Sequence, residues 1–189
     1  MNRAPQCRTK ARCAARSARD TMTALDIQIS VEAEGWPSED DLQLLCDRVL
    51  GAAAVYLATE NSQPFPKMPP EVSLVFTDDA SIREINAEWR EQDKPTNVLS
   101  FPAYPLVPGK LPGPMLGDIV IARETVAREA IDLEKSFDDH LTHLLVHGFL
   151  HLFGYDHIDA TEADIMEAHE TRILAGLGLS DPYADQDPV

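Results

Sequence analysis

All six histidines of this chain lie between His140 and His169. Four of them fall in HLLVHGFLHLFGYDH, residues 143–157. His147 and His151 are four residues apart, so on a helix they share one face about one turn apart. Two imidazoles so placed can bind one metal ion. Gly154 stands where such a helix can reverse, because glycine accepts the backbone conformation that ends a helix. The chain then returns with His157. The pattern His-x-x-x-His-x-x-Gly-x-x-His therefore offers three nitrogen ligands to one zinc ion per chain. Three protein ligands leave a place for water, which marks a catalytic rather than a structural zinc. Zinc brings the pKa of such a water toward ~7.

The other histidines read differently. His140 and His169 are expected to be ordinary helix histidines. His143 lies one turn before His147 and is either simply packed or a support for a ligand or substrate. Asp156, beside His157, either orients an imidazole or occupies a solvated turn. Met166 is expected in the core rather than beneath a metal. The ligand spacing matches that of the metzincin proteases, with one departure. Gly148 stands where those enzymes carry the glutamate that acts as general base. The metal pattern is kept and the peptide-cleaving group is missing, which counts against a metalloprotease.

A second constellation is INAEWREQDKPTNVLSFP, residues 85–102. Arg90 falls where a helix should end. Its guanidinium keeps its charge and suits bidentate binding of phosphate. Lys94 and Thr96 add donors nearby. By pattern alone Arg90 reads equally well as a cation satisfying a helix C-terminus.

These residues need elements to position them. Leu25–Ala33 alternates apolar and polar residues, the pattern of a half-buried strand. Ser38 should cap a helix running to about Thr59. Strands are expected at Glu71–Phe76, Val98–Phe101 and Gly117–Ala122. Helices are expected from Asp78 or Asp79 to Arg90, and over 123–133, 137–153 and about 162–175. Pro102–Pro114 holds five prolines and two glycines, so it should be a stiff irregular loop. Strands and helices intermix, which predicts an α+β fold. The expectation is a single domain with about four strands in a mixed sheet, packed with helices, one of them a metzincin-like metal helix.

The 189 residues favour one domain, and 44% apolar residues supply one core. No run reaches the ~18 apolar residues of a membrane span, so no membrane partner is expected. Three cysteines without a paired framework suit a reducing compartment, and the cytoplasm is the expected location. The net charge is −16. The first 21 residues carry six cations against Asp20, a net of +5, which leaves −21 for the rest. Residues 1–22 read as a basic extension without its own fold, 23–180 as the domain, and 181–189 as a flexible tail. The acidic body opposes non-specific binding of a polyanion, which needs clustered Lys and Arg. RNA binding by such a body would rest on a local cleft, with Arg83, Arg90, Lys94, Lys110 and Arg123 as candidates, and would weaken steeply with salt.

The chain resembles the YbeY family of bacterial rRNA maturation factors, which are metal-dependent endoribonucleases. The resemblance covers about residues 24–183. It rests on WREQDKPTNVLSFP, on LGDIVIA, and on HLLVHGFLHLFGYDH followed by EADIMEAHETRIL and DPY. It implies that His147, His151 and His157 are zinc ligands and that Arg90 is the catalytic arginine. It implies a four-stranded sheet beside a central helix carrying the first two histidines. The implied role is single-strand cleavage in ribosomal RNA processing, notably at the 3′ end of the small-subunit RNA, and in ribosome quality control. Ribosomal RNA and the ribosome or its associated proteins are the implied partners. A non-catalytic zinc protein assisting ribosome assembly is the alternative.

Overall fold

A computed structural model describes residues 24–184. The expectation for the basic extension 1–22 lies outside the described residues, as do Cys7 and Cys13. The chain runs β1 (Asp26–Val31), α1 (Glu39–Glu60), β2 (Glu71–Thr77), α2 (Asp79–Arg90), β3 (Val98–Pro102), β4 (Met115–Ala122), α3 (Arg123–Asp132), α4 (Phe137–Leu152) and α5 (Ala160–Gly176). The four strands form one mixed sheet in the order β1-β2-β4-β3. β1, β2 and β4 are parallel, and β3 joins the edge antiparallel to β4.

β4 explains the layering. Its residues alternate between two cores, as side chains of a strand must. Ile119 and Ile121 enter the main core, and Leu116 joins them because the register shift at that point breaks the alternation. Val120 and Ala122 enter a smaller one on the other face, with Ile82 and Leu99. α1 and α4 belong to the main core. α2 brings Ile82 and Ile85 to the small one. β4 starts two residues earlier than its apolar run predicts, because Met115 pairs with Glu71 across a register shift.

α1 is long and apolar enough, by length and composition, to cross a membrane. Its apolar face is instead core: Cys46, Val49, Leu50, Ala53, Ala54 and Leu57 are all fully buried. Burial, and then the charge of Asp47, push the Cys46 thiol up to about 12, so it is an inert packing group.

Every helix start but that of α3 is fixed by a side-chain cap. The Ser136 hydroxyl accepts from Asp139 N–H at 3.0 Å to start α4. Asp159 accepts from Thr161 and Glu162 N–H to start α5, two residues earlier than periodicity suggests. α4 is the central helix. It packs on β3, β4, α1, α3 and α5, which places the histidine-bearing segment between the sheet edge and α5.

Candidate metal centre

His147 and His151 lie one turn apart on α4 and are both partly buried. The helix ends in a closed turn. Gly154 N–H donates to His151 O at 3.0 Å and Tyr155 N–H donates to Leu150 O at 3.2 Å. Gly154 sits at φ +82°, and a Cβ there would lie 2.0 Å from the Leu106 carbonyl oxygen. Only glycine fits, on both conformation and space. The reversal delivers His157, whose backbone N–H donates to Asp156 Oδ1 at 2.8 Å. Asp156 thus shapes the turn, and its carboxylate stays 4.0 Å from His151 Nδ1. One ligand nitrogen from each of His147, His151 and His157 falls within 4.8 Å of the others.

The hydrogen-bond partners fix the tautomers. His147 Nδ1 faces Glu170 Oε1 at 2.7 Å, and His151 Nδ1 faces the Tyr155 carbonyl at 2.9 Å. Both partners are acceptors, so in the neutral rings both protons sit on Nδ1. The two Nε2 atoms are then bare, yet they lie 3.1 Å apart. Two lone pairs at that distance repel unless a cation lies between them. Two nitrogens bound tetrahedrally to one zinc would be separated by roughly 3.3 Å. The donor set therefore fits a zinc ion. Burial, then the charges of His147 and His157, bring His151 down to about 4, so its ring is neutral at pH 7 and able to coordinate a cation.

Glu170 is the group that sequence reasoning missed. It is fully buried on α5. His143 Nε2–H donates to its Oε2 at 2.9 Å, and the Tyr183 hydroxyl donates to the same oxygen. Burial opposes its charge, but the hydrogen bonds from His143 and His147 win and hold its pKa at about 2. One carboxylate therefore ties His143, His147 and Tyr183 together. The signal was present: Glu170 lies on the apolar stripe of Met166, Ile173 and Leu174, where an unpaired carboxylate would be costly. Met166 itself is a core residue. Tyr183 departs from the flexible tail expected from residue 181, because its ring closes edge-on against His143 and its hydroxyl reaches Glu170. His140 and His169 are bound elsewhere, to Glu129 and to Tyr56.

Gly148 has a packing reason. A Cβ there would meet Ile119 Cγ2 at 3.0 Å and Ser100 Oγ at 3.1 Å, so α4 lies directly on the sheet. A side chain there would have to displace Ile119 or Ser100 slightly, so close packing on the sheet favours glycine where those proteases carry their base.

Arg90 is the last residue of α2 and is exposed. Asn86 shapes the turn after it: its carbonyl accepts from Gln92 N–H at 3.2 Å, and its Nδ2 donates to the Lys94 carbonyl at 2.9 Å. Arg90 and Lys94 thus flank one pinned turn, and neither side chain has an ion-pair partner among the described residues. Thr96 is half-buried, its hydroxyl 3.5 Å from Asn97 Oδ1. The wider basic cleft is not assembled. Arg83 is bound through two nitrogens to Asp93, and Arg123 Nε donates to the Gly35 carbonyl.

The family described as endoribonuclease YbeY matches residues 28–178. The chain is 75% identical over 166 residues to the endoribonuclease YbeY of Rhizobium etli, covering 88% of this chain and 97% of that protein. It is 73% identical over 168 residues to that of Agrobacterium fabrum, covering 89% and 100%. The solution structure of TM1509 from Thermotoga maritima shares the fold, with a TM-score of 0.50 at 24% identity over 86% of this chain and 97% of that one.

Proposed function

Since the chain belongs to the endoribonuclease YbeY family, we propose that it is a zinc-dependent endoribonuclease that cuts single-stranded RNA during ribosomal RNA processing. Maturation of the 3′ end of the small-subunit RNA and ribosome quality control are its proposed setting, in the cytoplasm, on the ribosome or with ribosome-associated proteins. The observation that carries the chemistry is the pair of bare Nε2 atoms 3.1 Å apart, with His157 completing the trio.

His147, His151 and His157 would hold one zinc ion. When bound, the ion supplies Lewis acidity toward water and toward a phosphoryl oxygen. The chain's own groups do the rest. Glu170 and the Tyr155 carbonyl keep the protons of His147 and His151 on Nδ1, which leaves Nε2 free to bind. His143 and Tyr183 hold Glu170 in place. Arg90 binds the scissile phosphate and offsets the charge that grows on it during attack. Lys94, across the pinned turn, adds a second cation, and Thr96 stands beside it. With a net charge of −16 the body repels RNA, so binding is local, modest and salt-sensitive.

The test is cleavage of a single-stranded RNA by highly purified protein, with and without chelator. Loss of cleavage with chelator, in His147→Ala and in Arg90→Ala supports the reading. Cleavage that survives Arg90→Ala points to a contaminating nuclease. Zinc binding without cleavage, with unrelated cellular effects of the two variants, points to a non-catalytic role in ribosome assembly.

A further inference from the structure

Beside the histidine trio lies an open groove of about 450 Å³, lined by His147 at one side and by Asn97, Glu129, Asp132, His140 and Leu144. Its size is within the roughly 300–1,000 Å³ of small-molecule sites. Glu129 is held rigidly in it. Asn97 Nδ2 donates to Glu129 Oε2 at 2.9 Å, and His140 Nε2 lies 2.8 Å from the same oxygen. The Asn97 amide is itself fixed, because its Oδ1 accepts from Val98 N–H at 2.7 Å. Glu129 Oε1 has no partner among the described residues. His140, only 4% exposed, also lines the groove, and its Nδ1 has no partner.

Resting on the nuclease reading above, we propose that this groove receives the nucleobase beside the cleaved phosphodiester, and that Glu129 selects bases carrying an exocyclic amino group. Glu129 and Asp132 repel phosphate, so the RNA backbone is kept out and a neutral base is admitted. A metal is not what the groove is built for: among the described residues only the histidine trio converges as a metal cluster. Burial opposes the charge of Glu129, but hydrogen bonds from His140 and Asn97 hold its carboxyl below the usual range. It is therefore an acceptor only. Adenine, cytosine and guanine each present an amino donor on the pairing edge. Uracil's one donor there, N3–H, lies between two carbonyl oxygens that a carboxylate repels, so its hydrogen bond to Glu129 is weaker than that of an exocyclic amino group at the end of the edge. Because Glu129 is already immobilised, little ordering is needed when the base arrives.

The experiment uses the full-length protein loaded with zinc. Single-stranded oligonucleotides that differ in one base at the mapped cleavage site are cut in competition. The amino-bearing sequences are cut roughly tenfold faster than the uracil sequence, as one hydrogen bond to a charged group allows. Glu129→Gln brings that ratio to within about twofold, since an amide both donates and accepts. Asp132→Asn, on the exposed rim, moves the ratio the same way by less. A wild type that cuts all four alike overturns the assignment, as does a folded Glu129→Gln with the ratio unchanged. Titration with cytidine and with uridine, followed by the Asn97 side-chain amide signal in NMR, reads the preference without cleavage. A shift with cytidine and none with uridine supports the subsite even if no RNA is cut. Cleavage without any such discrimination removes the subsite and leaves the nuclease standing.

Discussion

The histidine face and the Arg90 turn are built on opposite plans. On the histidine face His147, His151 and the buried acid are tied down by hydrogen bonds, and the exposed His157 is placed by its turn. Glu170 is buried with three partners, His151 is held by Tyr155, and His157 comes off a turn that only glycine can make. At the Arg90 turn the backbone is pinned by Asn86, yet the cationic side chains are exposed and unpaired among the described residues. The difference suits what each is proposed to bind. A small ion needs its ligands at set distances before it arrives, and loose ligands cost affinity. A polymeric anion must be gripped and released, which a solvated guanidinium does without a large desolvation cost.

The strongest challenge to that contrast is Glu170→Ala. It leaves His143 and His147 without their buried acceptor, and breaking such a pair costs about 3–5 kcal/mol. Urea unfolding should show a loss of that size, and zinc affinity by competition with a chelating dye should fall about 10–100-fold. Arg90→Ala should do the reverse. Cleavage falls on the order of 100-fold, about 3 kcal/mol of barrier by analogy with removed oxyanion donors. Its unfolding free energy should stay within about 0.5 kcal/mol of wild type, as for an exposed site. If instead Arg90→Ala unfolds the protein, the two faces are not separate.

A smaller effect sharpens the Arg90 side. Asp78 caps α2, accepting from Ser81 N–H at 2.8 Å, and this bond holds its carboxyl below the usual range. A group with a depressed folded pKa contributes stability above its unfolded pKa, near ~3.9 for aspartate, and loses it as pH falls through the folded value. Asp78→Ala should therefore cost about 1 kcal/mol at neutral pH, with the gap closing in acid, as chemical unfolding across pH would show. The smallest effect is in salt. The slope of log affinity for single-stranded RNA against log salt should shrink by about 0.7 in Arg90→Ala, because one fewer phosphate is neutralised.

The same contrast governs how legible the molecule was in sequence. The trio could be read because helix period and a turn glycine are local rules. His147, His151, Gly154 and His157 obey them within eleven residues. The strands and helices followed from alternation and periodicity, with errors only at ends where a cap or a register shift decides, as at Asp159 and Met115. Glu170 was legible only as a carboxylate on the apolar stripe of Met166, Ile173 and Leu174, and Glu129 not at all, because the partners of each lie on other elements. The acidic charge of the body led to an expected cleft of Arg83, Arg90, Lys94, Lys110 and Arg123, but the pairing of Arg83 with Asp93 and of Arg123 with the Gly35 carbonyl is decided in space.

The Glu170 carboxylate reaches His147 from a different helix, 23 residues along the chain. An excised peptide spanning 143–157 would therefore contain every proposed ligand and still be a poor chelator, with its imidazoles free to carry either tautomer. Affinity for the ion belongs to the docking of two helices rather than to the stretch of sequence that announces it.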